Sequence, residues 1–158
     1  MIKTVHVHLP VHIKKFFIFE YGGYLKKNGH AEIHIDKNSE LGKLIHLISR
    51  PIPFTQAVTS SSPDTLSIRY YTHVQAFDVP ADKMSLLVTM MDEIFRRTLI
   101  HEVRGAHELV GCDYGPLITS FLKRRGIEKD IDVDWQVMRK VYRDYIAKTN
   151  RKMQKIYA

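Results

Sequence analysis

The hydrophobic pattern changes its period along the chain, and this change restricts the fold more than any other feature. Residues Lys3 to Leu9 and Leu66 to Phe77 alternate between apolar and polar side chains, the period of two that is typical of half-buried strands. After Pro80, apolar residues recur every three or four positions, as in amphipathic helices. Strands followed by helices predict an α+β domain with an antiparallel sheet of about four strands and a helical C-terminal half.

Two further strands and a helix are predicted between the alternating segments. His12 to Tyr21 is rich in β-branched and aromatic residues and ends at two glycines, which favours a strand over a short buried helix. Ala31 to Asp36 alternates again, so we expect it to return antiparallel to that strand. The spacing of leucine and isoleucine predicts a short helix over Glu40 to Ser49, with Asn38 and Ser39 as candidate caps. The proline- and serine-rich stretch from Arg50 to Thr65 is predicted to be an exposed loop.

Three helices are predicted in the second half of the chain. The longest begins near Pro80 and runs to about Arg104, where Gly105 is expected to end it. A shorter helix covers Leu117 to Arg125 and stops at Gly126. An acidic link then leads to Asp134, a good N-cap for a long final helix.

Length and composition predict one domain over residues 1–158. A chain of 158 residues that is 44% hydrophobic and 26% charged resembles an ordinary globular domain and can bury a core without disulfides or a structural metal. Cys112 is the only cysteine, which excludes intramolecular disulfides. Apolar stretches such as Phe16 to Phe19 are too short to span a bilayer, and the N-terminus lacks a signal-peptide pattern. We therefore expect a cytoplasmic protein without membrane association.

The charge is concentrated at one end of the sequence. The whole chain has 24 Lys and Arg against 17 Asp and Glu, a net charge of +7. Residues 116–158 contain 11 of the basic and 5 of the acidic residues and so carry +6 of that excess. The sequence thus divides into a near-neutral sheet-and-helix core, 1–115, and a basic helical extension, 116–158. This asymmetry points to a polyanionic partner, and a lysine-rich helix face that keeps the protein in solution is the alternative.

The final helix is predicted to be amphipathic, with one basic face. Its apolar face consists of Met138, Tyr142, Tyr145, Ile146, Met153 and Ile156. Arg124 and Arg125 end the preceding helix, so that two helices can join their charges into one stripe that follows phosphates. The sequence predicts nucleic-acid contacts by Arg124, Arg125, Lys140, Arg143, Lys148, Arg151 and Lys155, with Arg69 and Tyr71 of the sheet as secondary contacts.

A resemblance supports this non-enzymatic, nucleic-acid-binding interpretation, which leaves DNA and RNA open. The step Phe121-Leu122-Lys-Arg-Arg-Gly-Ile127, with Asp134 leading into Lys140, Tyr142 and Arg143, resembles small basic proteins of bacterial prophages and mobile elements. The resemblance covers about a quarter of the chain and implies binding to nucleic acid.

A second hypothesis concerns histidines on the polar sides of the predicted strands. These are His6, His8, His34 and His73. If three of them converge in one sheet, they could hold zinc or another divalent metal, because neutral imidazole is a common metal ligand. The function would then be that of a metal-dependent nuclease or transferase. A half-exposed sheet face and contact with single-stranded nucleic acid are the alternatives.

His6-Val7-His8 resembles the histidine-hydrophobic-histidine motif of the HUH endonucleases. In that family the two histidines hold a divalent metal and a tyrosine attacks a DNA phosphate. The resemblance implies metal binding by His6 and His8, with Tyr142 or Tyr145 as the nucleophile.

A third hypothesis is a protein-interaction subunit. The apolar face of the final helix, with Tyr142, Tyr145, Met153 and Ile156, would pack against a protein partner or a second copy of the chain.

Overall fold

The α+β class is confirmed by a computed structural model, which describes residues 1–25, 30–51, 62–73 and 77–157, without the side chains of Phe77 and Tyr157. The strands are β1 (Ile2–His8), β2 (Tyr24–Leu25), β3 (Ala31–His34), β4 (Arg50–Pro51), β5 (Thr65–Tyr71) and β6 (Phe77–Asp78). The helices are α1 (Val11–Glu20), α2 (Glu40–Ile48), α3 (Ala81–Val110), α4 (Tyr114–Arg124) and α5 (Trp135–Tyr157).

The chain forms two compact units, Met1–Glu93 and Ile94–Ala158. The first contains all the described strands with α1, α2 and the first half of α3, and the second contains the rest of α3 with α4 and α5. The boundary between the units lies inside α3, whereas the change of charge lies at residues 115 and 116.

The main sheet is mixed, so the purely antiparallel sheet predicted from the sequence is wrong. Its strand order is β1-β5-β3-β2. β1 is antiparallel to β5 and β2 is antiparallel to β3, but β3 runs parallel to β5. A parallel neighbour is possible because a long connection that contains α2 separates β3 from β5. β4 and β6 form a separate antiparallel pair.

Alternation places the apolar side chains of the three longer strands on one buried face. Val5 of β1 is paired with Ile68 of β5, which is paired in turn with Ile33 of β3, and all three are buried. The other face carries polar residues, including the register row of His6, Ser67 and Glu32. The first unit therefore builds its core on one side of the sheet.

Helix α1 replaces the strand that we predicted over His12 to Tyr21. Its buried residues Ile13, Phe16 and Phe17 are three and four positions apart, so a helix buries all of them on one face, and α1 contacts β3. Pro10 precedes the helix, where its missing N–H is no loss. Burial of this apolar face outweighs the strand propensity of β-branched and aromatic residues. The expected antiparallel pairing of Ala31 to Asp36 with this segment is therefore also wrong.

The strand predicted over Leu66 to Phe77 is shorter in the structure, because β5 ends at Tyr71. Residues 74–76 lie outside the described residues. Of the loop predicted over Arg50 to Thr65, the first two residues form β4, the last begins β5, and residues 52–61 also lie outside the described part.

Helix α2 confirms the helix predicted over Glu40 to Ser49, since the Ser39 hydroxyl accepts a hydrogen bond from the Gly42 N–H at 3.0 Å and caps it. Helix α3 differs from the prediction, because it continues through Gly105 to Val110. A glycine inside a helix costs only about 1 kcal/mol relative to alanine. The helix ends at Gly111, whose φ of 69° suits a glycine better than any other residue.

Helices α4 and α5 confirm the two remaining predicted helices. After α4, the Gly126 N–H donates to the Lys123 carbonyl and the Ile127 N–H donates to the Leu122 carbonyl, the double hydrogen bond of a Schellman motif. Gly126 has a φ of 68°, as this motif requires. No helix within the described ranges combines the length and the apolar character needed to cross a membrane.

Candidate nucleic-acid interface

The acidic link before α5 serves to start the helix. The Asp134 carboxylate accepts a hydrogen bond from the Gln136 N–H at 2.9 Å, and the Asp130 carboxylate accepts one from the Trp135 N–H at 3.2 Å. The Asp132 carboxylate accepts one from the Glu128 N–H at 2.8 Å. These acids satisfy the free N–H groups of the link and the first turn and complement the helix dipole, which fixes where α5 begins.

Aromatic residues fix the first half of α5 against α3 and α4. Tyr142 is buried, its ring centroid lies 5.0 Å from that of Tyr114, and its hydroxyl shares a hydrogen bond of 3.1 Å with Nδ1 of His107. Arg104 donates to the Tyr145 hydroxyl at 2.8 Å. The Trp135 indole donates to the Thr119 hydroxyl at 3.1 Å. This side of the helix is therefore structural.

The last turns of α5 are exposed all round. Met138 and Tyr142, on the predicted apolar face, are buried, but Met153 and Ile156 on the same face are 48% and 60% exposed. Every side chain from Arg151 to Ile156 is exposed. The end of α5 thus presents its cations to solvent without an opposing protein surface among the described residues.

Six basic side chains form a stripe along this helix. At 100° per residue they occupy about half of its circumference. The basic stripe consists of Lys140, Arg143, Lys148, Arg151, Lys152 and Lys155, all of them exposed. It extends for about 22 Å, given the rise of 1.5 Å per residue.

Acidic neighbours compensate little of the basic stripe. Asp144 is the only acid in α5, and its carboxylate lies 3.9 Å from Nε of Arg143, with both side chains more than half exposed. Within the described part of the chain, Lys140, Lys148, Lys152 and Lys155 form no ion pair. The stripe therefore offers a largely uncompensated row of cations along one helix.

Arg124 and Arg125 do not extend this row as free cations. Arg125 is buried, pairs with the Glu102 carboxylate at 2.9 Å, and lies with its guanidinium 3.9 Å from the centroid of the Phe121 ring. It also donates to the Phe121 carbonyl at 3.3 Å. Arg124 is exposed but pairs with the same Glu102. The two arginines hold α4 to α3 through one carboxylate, and we leave Arg125 out of the candidate interface.

The two residues predicted as secondary contacts lie on β5 in the first unit. Arg69 is half-exposed and pairs with Glu32 at 3.4 Å across the β3–β5 ladder. Tyr71 is exposed, and its ring meets the His73 ring edge-on at 4.9 Å between centroids. Arg69 is thus partly neutralised, while Tyr71 presents an aromatic surface.

The sheet places His6, His8 and His34 on strands, whereas His73 follows the end of β5. His6 shares a hydrogen bond of 2.8 Å with the Ser67 hydroxyl, and burial lowers its pKa against the opposing effect of Glu32. In the part of the chain that the structure describes, no group of three His, Cys, Asp or Glu residues is placed to hold a metal ion.

The tyrosines suggested by the HUH resemblance are engaged in the packing of α5. Tyr142 is buried, and burial followed by the nearby Glu108 raises its pKa, which keeps the phenol neutral. Tyr145 accepts the hydrogen bond from Arg104. Neither hydroxyl is presented as a nucleophile within the second unit.

Sequence reasoning missed three contributors to these surfaces. Lys152 belongs to the basic stripe, and the 100° spacing alone would have included it. Glu102 pairs with two arginines that lie 22 and 23 positions away, a pairing that no local pattern shows. A basic cavity at the end of β5, described below, combines residues from separate segments that no motif connects.

No protein-family model, curated protein or solved structure matches this chain.

Proposed function

We propose that this protein binds nucleic acid without enzymatic activity, through contacts between phosphates and the basic stripe of α5. The observation that carries the proposal is that these cations are exposed on a helix with one acidic residue, Asp144. A row of fixed cations releases the counterions condensed on DNA or RNA, which drives association. Because phosphates repeat regardless of sequence, such contacts supply affinity and little sequence preference.

The geometry of the helix supports this proposal. Buried and hydrogen-bonded aromatic residues hold the first half of α5, and the second half presents its cations to solvent. The basic stripe, with its length of about 22 Å, covers several phosphates of one strand, which are 3.4 Å apart along the axis of B-DNA. Lys148, Arg151 and Lys155, in the exposed turns, are the residues that we expect to contribute most.

The test is a fluorescence-anisotropy titration of random duplex DNA, single-stranded DNA and RNA at several salt concentrations. The variant replaces Lys148, Arg151 and Lys155 by Gln. A matched control removes three positive charges elsewhere by changing Lys83, Arg97 and Lys123 to Gln. Each lost contact should reduce the slope of log affinity against log salt by about 0.9 on duplex DNA, so the stripe variant should lose about 2.7.

The control variant separates a site from general charge. If both variants lose affinity equally, the protein attracts polyanions only through its net charge, and the proposed site is wrong. Absence of binding by the unchanged protein at low salt would also contradict the proposal. In that case a concentration-dependent oligomer that is abolished by Met153→Lys would favour an assembly role for the end of α5.

A further inference from the structure

A second basic surface lies in the first unit, where the end of β5 meets α2. It is a cavity of about 470 Å³ that opens to solvent. Its basic lining groups are Lys37, Lys43, His46 and His73, and Tyr70 and Tyr71 contribute two phenols. No Asp or Glu is among the described residues that line it. This composition is suited to an anionic ligand, and the volume falls within the range of small-molecule sites, about 300 to 1,000 Å³.

The local fold brings the cations together. Lys43 and His46 are three residues apart and lie on the same face of α2. Lys37 approaches from the preceding turn, which packs against α2 at Gly42, where an added Cβ would lie 2.1 Å from the Asp36 carbonyl oxygen. Gly42 therefore allows the close approach that places Lys37 beside the cavity.

One wall of the cavity is formed by Tyr70, whose side chain is buried. Tyr70 is only 5% exposed, and its hydroxyl forms no hydrogen bond of normal geometry with any described group. The neighbouring Ser49 hydroxyl donates instead to the Ile45 carbonyl at 2.5 Å. Burial, and next the Asp78 carboxylate, raise the pKa of Tyr70 to about 12, while Ser49 acts in the opposite direction. The hydroxyl itself is buried, so Tyr70 contributes a wall of the site and not a polar contact to a ligand.

An aromatic surface completes the arrangement. The Tyr71 ring is 43% exposed, and the His73 ring meets it edge-on with the two planes at 87°. The Lys37 ammonium lies 5.8 Å from the centroid of the same ring. Exposed tyrosine faces stack on planar bases with a gain of about 1 to 3 kcal/mol per base. A ligand that combines a planar ring with an anionic group would use both halves of the site.

We propose that this cavity binds a nucleoside monophosphate unit, either free or at the end of a single strand, with the phosphate at Lys37, Lys43 and His46 and the base on Tyr71. This site uses no residue of the basic stripe and does not depend on the function proposed for α5.

The experiment is an NMR titration of the full chain, followed through its backbone amide resonances. The probes are the four common nucleoside monophosphates at up to about 1 mM. This concentration half-saturates a site with a Kd of about 1 mM. Adenosine and inorganic phosphate test the two halves of the ligand separately. A short single-stranded oligonucleotide with and without a 5′-phosphate distinguishes a strand end from a free nucleotide. We expect shifts confined to residues around the cavity, and tighter binding of a monophosphate than of adenosine or inorganic phosphate.

Two variants test the assigned contacts, Tyr71→Ala at the base and Lys43→Gln at the phosphate. Each should weaken binding, whereas Lys83→Gln, the charge control, and Tyr70→Phe, which removes a buried hydroxyl, should bind normally. The stripe variant with Gln at 148, 151 and 155 should bind monophosphates normally, so that the two proposals fail independently.

Two results would overturn the assignment of this site. One is that no probe shifts the cavity resonances at about 1 mM. The other is that Tyr71→Ala and Lys43→Gln bind as tightly as the unchanged protein. Tyr71 and Lys43 are exposed, so both variants are expected to fold, and a thermal melt confirms it.

Discussion

The guanidinium of Arg125, at the C-terminal end of α4, lies 2.9 Å from the carboxylate of Glu102 in α3. The arginine side chain is buried, and the glutamate is about one quarter exposed. A charge that is buried with its partner is tolerated, whereas one left alone is costly. This pair therefore explains why a residue that resembled part of a basic surface is a structural element of the second unit.

We expect Glu102→Gln to lower the free energy of unfolding by about 3 kcal/mol, because it leaves the Arg125 charge buried without a carboxylate. Arg124→Gln is the matched control, since Arg124 pairs with the same carboxylate but is 58% exposed. Exposed pairs contribute at most about 1 kcal/mol. Urea unfolding measures both variants. Equal losses would show that the buried pair contributes no more than the exposed one.

The two ends of α5 should respond differently to the same substitution. Met138 is 3% exposed and Met153 is 48% exposed, on the same predicted face. Met138→Ala should cost about 2 to 4 kcal/mol, because it leaves a cavity in the core. Met153→Ala should change stability by less than about 0.5 kcal/mol. Chemical unfolding at low protein concentration is the measurement, and a large loss for Met153→Ala would reveal that this end of the helix is packed in solution.

The fold class followed from the sequence because its main signals are local. Period-two alternation predicted β1 and part of β5, and caps at Ser39 and Asp134 marked the starts of α2 and α5. Helix α1 was missed because its composition favours a strand, while the burial of Phe16 and Phe17 that decides the matter is a tertiary effect. The direction of β3 depends on strand pairing at a distance and has no local signal.

The candidate site was predictable to a similar degree. Helical spacing identified the basic stripe except for Lys152, since exposed residues on one helix depend only on the 100° rotation. The engagement of Arg125 by Glu102 and the buried position of Tyr142 depend on packing between helices. The cavity at the end of β5 joins α2, the turn before it and the strand end, so it could be found only from the structure.

The pKa of His6 predicts a pH dependence of stability. Burial lowers this pKa in the folded protein below its usual value of about 6.5. The unfolded chain therefore takes up the proton at a higher pH than the folded chain does. The contribution of neutral His6 to stability is present above about pH 6.5 and is lost as the pH falls through the folded pKa.

The measurement is the free energy of unfolding between about pH 7.5 and pH 5, for the unchanged protein and for His6→Gln. We expect the decrease on acidification to be smaller in the variant, and the imidazole resonances of His6 to titrate with a midpoint below 6.5. Ser67→Ala removes the hydrogen bond at 2.8 Å and tests whether that contact maintains the position of the ring. A His6 midpoint above 6.5 would contradict this prediction.

Two glycines in helices should respond to alanine with opposite signs. At Gly105, in the interior of α3, an added Cβ would meet no described atom within 4 Å. Gly105→Ala should therefore stabilise the protein by about 0.5 to 1 kcal/mol, because alanine loses less backbone entropy in a helix.

At Gly42 the added Cβ would lie 2.1 Å from the Asp36 carbonyl oxygen and 3.0 Å from the Lys37 Cα. These are backbone atoms, so the turn must move. Gly42→Ala should destabilise the protein, because this movement costs more free energy than the higher helix propensity of alanine contributes. Thermal melts of the two variants show whether each substitution stabilises or destabilises the protein. Because the turn before α2 carries Lys37, the Gly42→Ala protein should also bind nucleoside monophosphates more weakly, whereas the Gly105→Ala protein should bind them normally. A stabilised Gly42→Ala protein would show that the turn does not pack against α2 as closely as described.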